Sequence, residues 1–108
     1  MGPETTATGC PVTNAMKVIG GKWKLPIIFN LGTKTYRFGE LKRVLTGITQ
    51  QMLSKQLKEL EDHGMVGRKV YAEVPPRVEY SLTEKGKSTI PVMKSIAEWS
   101  ENHLLGAK

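Results

Sequence analysis

Several residue types are scarce in this chain of 108 residues, and each scarcity removes a class of chemistry. Cysteine occurs once, at Cys10, so no disulfide can close within the chain and any bridge has to join it to another molecule. Aspartate also occurs once, at Asp62, and histidine twice, at His63 and His103, far apart and without clustered carboxylates or thiols. No zinc-type ligand spacing and no Ser, His and Asp set can be assembled, so neither a metal, a cofactor nor catalysis is expected. The stretch "GGKW" lacks the spacing of a phosphate-cradling loop. No uninterrupted run of about 18 apolar residues exists, so no segment reads as a membrane span. The opening "MGPETTATG" lacks the basic and then apolar regions of an export signal, which points to the cytoplasm.

What is present is positive charge and helical periodicity. Sixteen Lys and Arg against ten Asp and Glu leave a net charge of +6, which favours a polyanionic partner. Hydrophobic residues at 39% can build one core at this length, not two. Residues 1–9 are small and polar and read as a flexible arm, leaving 10–105 as the folded domain.

Local signals divide that domain. A short helix follows Thr13 or Asn14 as cap, with Met16 and Ile19 on one side, until Gly20 and Gly21 interrupt it. A second helix carries Trp23, Ile27, Ile28 and Leu31, tolerates Pro26 in its first turn and stops at Gly32. "TKTYRF" reads as a short extended segment. "FGELKRVL" places Phe38, Leu41, Val44 and Leu45 on one helical face, "TGIT" turns tightly, and Thr49 caps "QQMLSKQLKELEDHG", which ends at Gly64. Helix, four-residue turn and helix in series form a helix-turn-helix. The period then changes to two. Val78, Tyr80 and Leu82 alternate with Arg77, Glu79 and Ser81, and Val66, Arg68 and Val70 form the partner strand of a β-hairpin whose tip holds Pro75, Pro76 and Arg77. Thr83 caps a last helix running to about Leu104, kinked at Pro91, with Ile90, Met93, Ile96 or Ala97, and Leu104 as its apolar stripe.

A helix-turn-helix followed by a two-stranded hairpin is a winged helix, mainly α with a small β-hairpin, flanked here by N- and C-terminal helices. Leu53, Leu57 and Leu60 hold its second helix to the domain and turn Gln50, Gln51, Ser54, Lys55 and Lys58 outward. A major groove about 12 Å wide admits such a helix. Gln50 and Gln51 suit adenine edges, Lys55 suits guanine or a phosphate, and Lys58 and Arg43 suit the backbone of double-stranded DNA. Arg77 is expected at the wing tip as a minor-groove or phosphate contact. The same outward face could belong to an ordinary solvated helix, and winged helices also serve as protein-interaction modules that do not read DNA. Glu40, Glu59, Glu61 and Asp62 near this helix favour that alternative. A winged-helix core closes near Leu82, so the late apolar stripe with Trp99 has little of its own domain left to cover. It is expected to form a homodimer interface of Val12, Met16, Ile19, Met93, Ile96, Trp99 and Leu104.

"CPVTNAMKVIGGKWKLPIIFNL", "YRFGELKRVLTGITQQMLSKQLKELEDHGMV", "RVEYSLTEKG" and "IAEW", in that order, resemble the HxlR-type branch of the MarR-like winged-helix regulators. The resemblance implies a homodimeric bacterial transcription factor on a near-palindromic operator. Its recognition-helix positions fall on Thr49, Gln50, Gln51, Ser54, Lys55 and Lys58, and its wing on Pro75, Pro76 and Arg77. Some members resemble redox or electrophile sensors with a cysteine where Cys10 stands. Cys10 is therefore either a regulatory thiol answering an oxidant or small-molecule effector, or a small interface hydrophobe.

Overall fold

The leucine spine of the second helix of the helix-turn-helix is the centre of the domain. A computed structural model describes residues 9–104, so the arm's residues 1–8 and position 105 lie outside the described part. Its elements are α1 (Pro11–Ile19), α2 (Lys24–Leu31), β1 (Tyr36–Arg37), α3 (Phe38–Val44), α4 (Gln50–Asp62), β2 (Val66–Tyr71), β3 (Arg77–Leu82), α5 (Glu84–Lys87) and α6 (Ile90–His103). Leu53, Leu57 and Leu60 of α4 are buried, packed with Ile27, Ile28 and Leu31 of α2, Leu41 of α3, and Met65, Val66 and Leu82 of the sheet region.

The ends of α4 are set by local chemistry. Thr49 Oγ1 accepts a hydrogen bond from the Met52 amide at 3.0 Å, satisfying one of the free donors of the first turn. Gly64 closes the other end at φ 75°, a left-handed conformation that a side chain would resist. The turn from α3 passes through Gly47 at φ 93°. The helix-turn-helix and the hairpin thus stand where the sequence patterns put them.

Four features of the fold differ from expectation. The first helix begins at Pro11, with Cys10 in extended conformation as its cap, rather than after Thr13 or Asn14. Proline's preset φ and missing N–H suit the first helical position, and that preference outweighs a hydroxyl cap two residues later. The segment before α3 is not merely extended. Tyr36 and Arg37 pair antiparallel with Tyr80 and Glu79, making a three-stranded sheet of order β1-β3-β2. The last helix is two helices: Pro91 lies in the first turn of α6, where its absent donor costs nothing, so the chain breaks before it instead of kinking at it. Finally, Ile19 and Met93, expected at a dimer surface, are 6% and 8% exposed and belong to this chain's own core. The end of α1 and the start of α6 therefore fold back on the domain, and only their outer parts remain uncovered.

One long-range ion pair ties α4 to α2. Lys24, although charged, is buried, and its Nζ donates to Glu59 Oε1 at 2.5 Å. The Lys24 hydrogen bond, and then its charge, hold the Glu59 carboxyl below the usual glutamate range. A group whose pKa is lower in the folded than in the unfolded chain contributes stability above its unfolded value, about 4.3, and loses it as pH falls through the folded value. Glu59→Gln should accordingly flatten the acid limb of a stability-against-pH curve below about pH 4.3. Denaturant titrations of both proteins between pH 2.5 and 6 check this, and parallel acid limbs would remove the pair from the account.

Candidate nucleic-acid interface

The residues assigned to DNA contact from the pattern of α4 share one solvent-facing surface. Thr49, Gln50, Gln51, Ser54, Lys55 and Lys58 are all exposed, as is Arg43 near the end of α3. Burial of the leucines at one face forces this outcome, because residues between them on the same helix must turn away from the core. Lys55 forms no ion pair with any described residue, so its ammonium is available. Lys58 Nζ donates to Asp62 Oδ1 at 2.9 Å, one turn further on, and that bond raises the lysine's pKa.

The four acidic residues near the reading helix oppose its field less than their number implies. Glu59 is paired with Lys24 and Asp62 with Lys58, whereas Glu40 keeps its charge while its Oε1 accepts the Arg37 amide at 2.9 Å at the start of α3. Glu61 stands on the wall of a groove of about 400 Å³ between α4 and the wing, with Ser54, Lys58, Arg68 and Tyr80. Arg68 is the groove cation that the strand pattern did not single out. It pairs across the hairpin with Tyr80, on the same sheet face as Val66 and Val70. A cation in the apolar phase of a strand was the available signal.

Arg77 is not at the tip of the wing. It opposes Tyr71 as the first residue of β3, while Ala72 to Pro76 make the connection. Its guanidinium carbon lies 3.9 Å from the centre of the Tyr71 ring, its Nη2 lies 3.3 Å from Glu73 Oε2 and its Nε 3.4 Å from Glu79 Oε2. Its charge is met inside the wing.

Away from the core, Val12 and Met16 of α1 and Ile96, Trp99 and Leu104 at α6 are exposed; Trp99 is 56% accessible. The ring of His103 lies 6.0 Å from that of Trp99. Cys10, at the head of α1, is exposed. The Thr13 amide, the Thr13 hydroxyl and the Val12 amide stabilise its thiolate and lower its pKa. Such a thiol is more fully ionised near neutral pH than an ordinary one. Its alkylation rate should titrate with a midpoint below that of an ordinary cysteine. Following iodoacetamide modification by mass across pH 6–10 measures this, and Thr13→Val should move the midpoint up.

Among the described residues no group of three potential metal ligands occurs, and no helix is long and apolar enough to cross a membrane. A cation-bearing helix held by its apolar face, a preceding turn and helix, and a three-stranded sheet ending in a hairpin define a winged helix-turn-helix. The chain belongs to the HxlR-like helix-turn-helix family, whose model matches residues 18–107. It is 50% identical over 92 residues to an HTH-type transcriptional regulator of Methanothermobacter thermautotrophicus, spanning 85% of this chain and 70% of that protein. The redox regulator HypR in its oxidised form is a solved relative at 47% identity and a TM-score of 0.80, covering 87% of this chain and 97% of that one. The reduced form of the transcriptional regulator YodB of B. subtilis aligns at 35% identity and a TM-score of 0.79, over 88% and 94% of the two chains. The protein is a helix-turn-helix transcriptional regulator of the MarR-like class, not an enzyme.

Proposed function

We propose that the protein acts in the cytoplasm as a homodimer that occupies a near-palindromic operator, one α4 in each of two successive major grooves. The observation that carries this reading is the exposed run Gln50, Gln51, Ser54 and Lys55 on a helix locked by three buried leucines, with no partner for Lys55 among the described residues. Donors and acceptors on such a face match base edges, and Lys58, Arg68 and Arg43 flank it where phosphates would run. The uncovered residues Val12, Met16, Ile96, Trp99 and Leu104 supply the dimer surface. Selection of bound duplexes from a random pool at physiological salt tests the proposal. Enrichment of a two-fold symmetric site with half-sites about 34 Å apart is expected. Recovery of no preferred sequence by the reduced protein would count against operator reading and favour the protein-interaction module. Trp99→Glu is expected to sediment as a monomer and to lose the symmetric site together.

A regulatory role for Cys10 has its own support. Its thiolate is stabilised at the head of α1, next to the proposed dimer surface, and a redox regulator is among the solved relatives. With one cysteine in the chain, oxidation would link Cys10 to a second copy or to a small thiol. Oxidant treatment should then change operator affinity in the wild type and leave Cys10→Ser unaffected. Equal responses in the two proteins would reduce Cys10 to a packing residue.

A further inference from the structure

The wing gathers charge of both signs on one face, and in the connection Ala72 to Pro76 the one charged residue, Glu73, turns its carboxylate to Arg77. Tyr71 opposes Arg77 and Lys69 opposes Glu79 across the hairpin, so these four side chains share a face. Lys69 Nζ lies 5.0 Å from the centre of the Tyr71 ring that Arg77 covers at 3.9 Å. Glu73 and Glu79 flank the guanidinium at 3.3 Å and 3.4 Å. The Arg77 Nε is shielded from solvent and makes no hydrogen bond, so Glu79 holds it by charge alone. Two cations against two carboxylates leave this face neutral. Beyond it come Ala72, Val74, Pro75 and Pro76, all exposed, with Val74 at 101% of full accessibility.

We propose that the wing meets the minor groove with this uncharged tip, Val74 to Pro76 lying against deoxyribose, and that Arg77 is a positioning residue that braces the tip. The inference rests on the DNA-reading function above. The groove lined by Ser54, Lys58 and Arg68 sets the hairpin beside the outward face of α4, so a duplex seated on α4 runs past the wing. Withdrawing Arg77 to reach a phosphate would expose the Tyr71 ring and leave Glu73 and Glu79 unpaired beside a polyanion, a net electrostatic loss. Apolar side chains enter the minor groove in other DNA-binding proteins, and binding that carries no base-edge hydrogen bonds follows the shape and deformability of the duplex. Sequence preference flanking the operator would then follow groove shape.

Arg77→Lys separates a brace from a phosphate contact, because it keeps the charge but not the planar fork that covers Tyr71 and reaches two carboxylates. Affinities of wild type, Arg77→Gln, Arg77→Lys and Val74→Lys for the selected operator should be measured from 50 to 300 mM salt, with circular dichroism reporting the fold. Arg77→Gln is expected to weaken binding about tenfold, the order expected for losing a cation–π contact and two partly exposed ion pairs per subunit. Arg77→Lys should leave binding weakened by a similar factor. Val74→Lys, at a site with no packing to lose, should steepen the slope of log affinity against log salt by about 0.9 per subunit. Wild-type affinity in Arg77→Lys, or a Val74→Lys slope equal to wild type, overturns the inference while leaving the DNA-reading function intact. Absence of salt-dependent binding by the wild type would instead overturn that function and this inference with it.

Discussion

Replacing Gln51 and Lys55 together by alanine is expected to lower operator affinity about a thousandfold with no measurable change in stability. Both side chains are exposed and neither helps to hold α4 against the core, so their removal should alter folding by less than about 0.5 kcal/mol. A well-placed base contact is worth about 1–3 kcal/mol of discrimination. Two such contacts in each half of a symmetric site sum to at least about 4 kcal/mol, which corresponds to a factor of about a thousand. The two losses should differ in kind. Loss of Gln51 should relax preference at one base pair of each half-site, whereas loss of Lys55 should also lower the salt slope if it meets a phosphate. Titration of each variant against the selected operator and its single-base variants reads both effects. Affinity within threefold of wild type for the double variant would mean that α4 is not the reading element.

The largest stability effect is expected at a residue that contacts no ligand. Gly86, in the short α5, is buried, and a β-carbon there would overlap the Met65 carbonyl oxygen and press on Leu82 Cδ2. That carbonyl cannot retreat easily, because it accepts the Thr83 amide at 3.1 Å and the Thr83 hydroxyl at 3.2 Å. Glycine-to-alanine in a helix ordinarily gains up to about 1 kcal/mol from the unfolded state and helix propensity. Here backbone overlap outweighs that gain, and Gly86→Ala should cost about 3 kcal/mol, lowering the melting temperature by about 10–20 °C. Gly39→Ala provides the opposite sign. In α3 the added carbon meets nothing nearer than an Arg43 guanidinium nitrogen at 4.0 Å, so that variant should be neutral or gain about 0.5–1 kcal/mol. Thermal unfolding of the two variants decides the matter, and equal shifts would show that the close approach at Gly86 relaxes without strain.

The legible parts of this fold were those governed by neighbours in the chain. Leu53, Leu57 and Leu60 recur at helical spacing, Thr49 and Gly64 mark the ends of that helix, and residues 66–82 alternate with period two around a proline-bearing turn. Each signal acts within a few residues, and each element formed where its signal lay. The outward direction of Gln50, Gln51, Ser54 and Lys55 follows from the same periodicity, so the composition of the reading face was legible as well.

Long-range packing decided the rest. The partner of Tyr36 and Arg37 is β3, far along the chain, and no local pattern reports that pairing. Ile19 and Met93 carry the same apolar label as Met16 and Ile96, yet the first two enter the core and the others stay uncovered, because only assembly of α1, α2 and α6 determines where the surface falls. Charges were the least legible. Lys24 and Glu59, 35 positions apart, are joined by the packing of α2 on α4, which removes an acid that would otherwise oppose DNA. Arg77 is a free cation in the sequence and a braced one in the wing, since the hairpin register brings Tyr71, Glu73 and Glu79 around it. Periodicity is a property of the chain, and so sequence alone determined which side chains face outward from α4. The availability of a charge depends on what lies within about 4 Å of it in space, and only the tertiary structure supplied that neighbour.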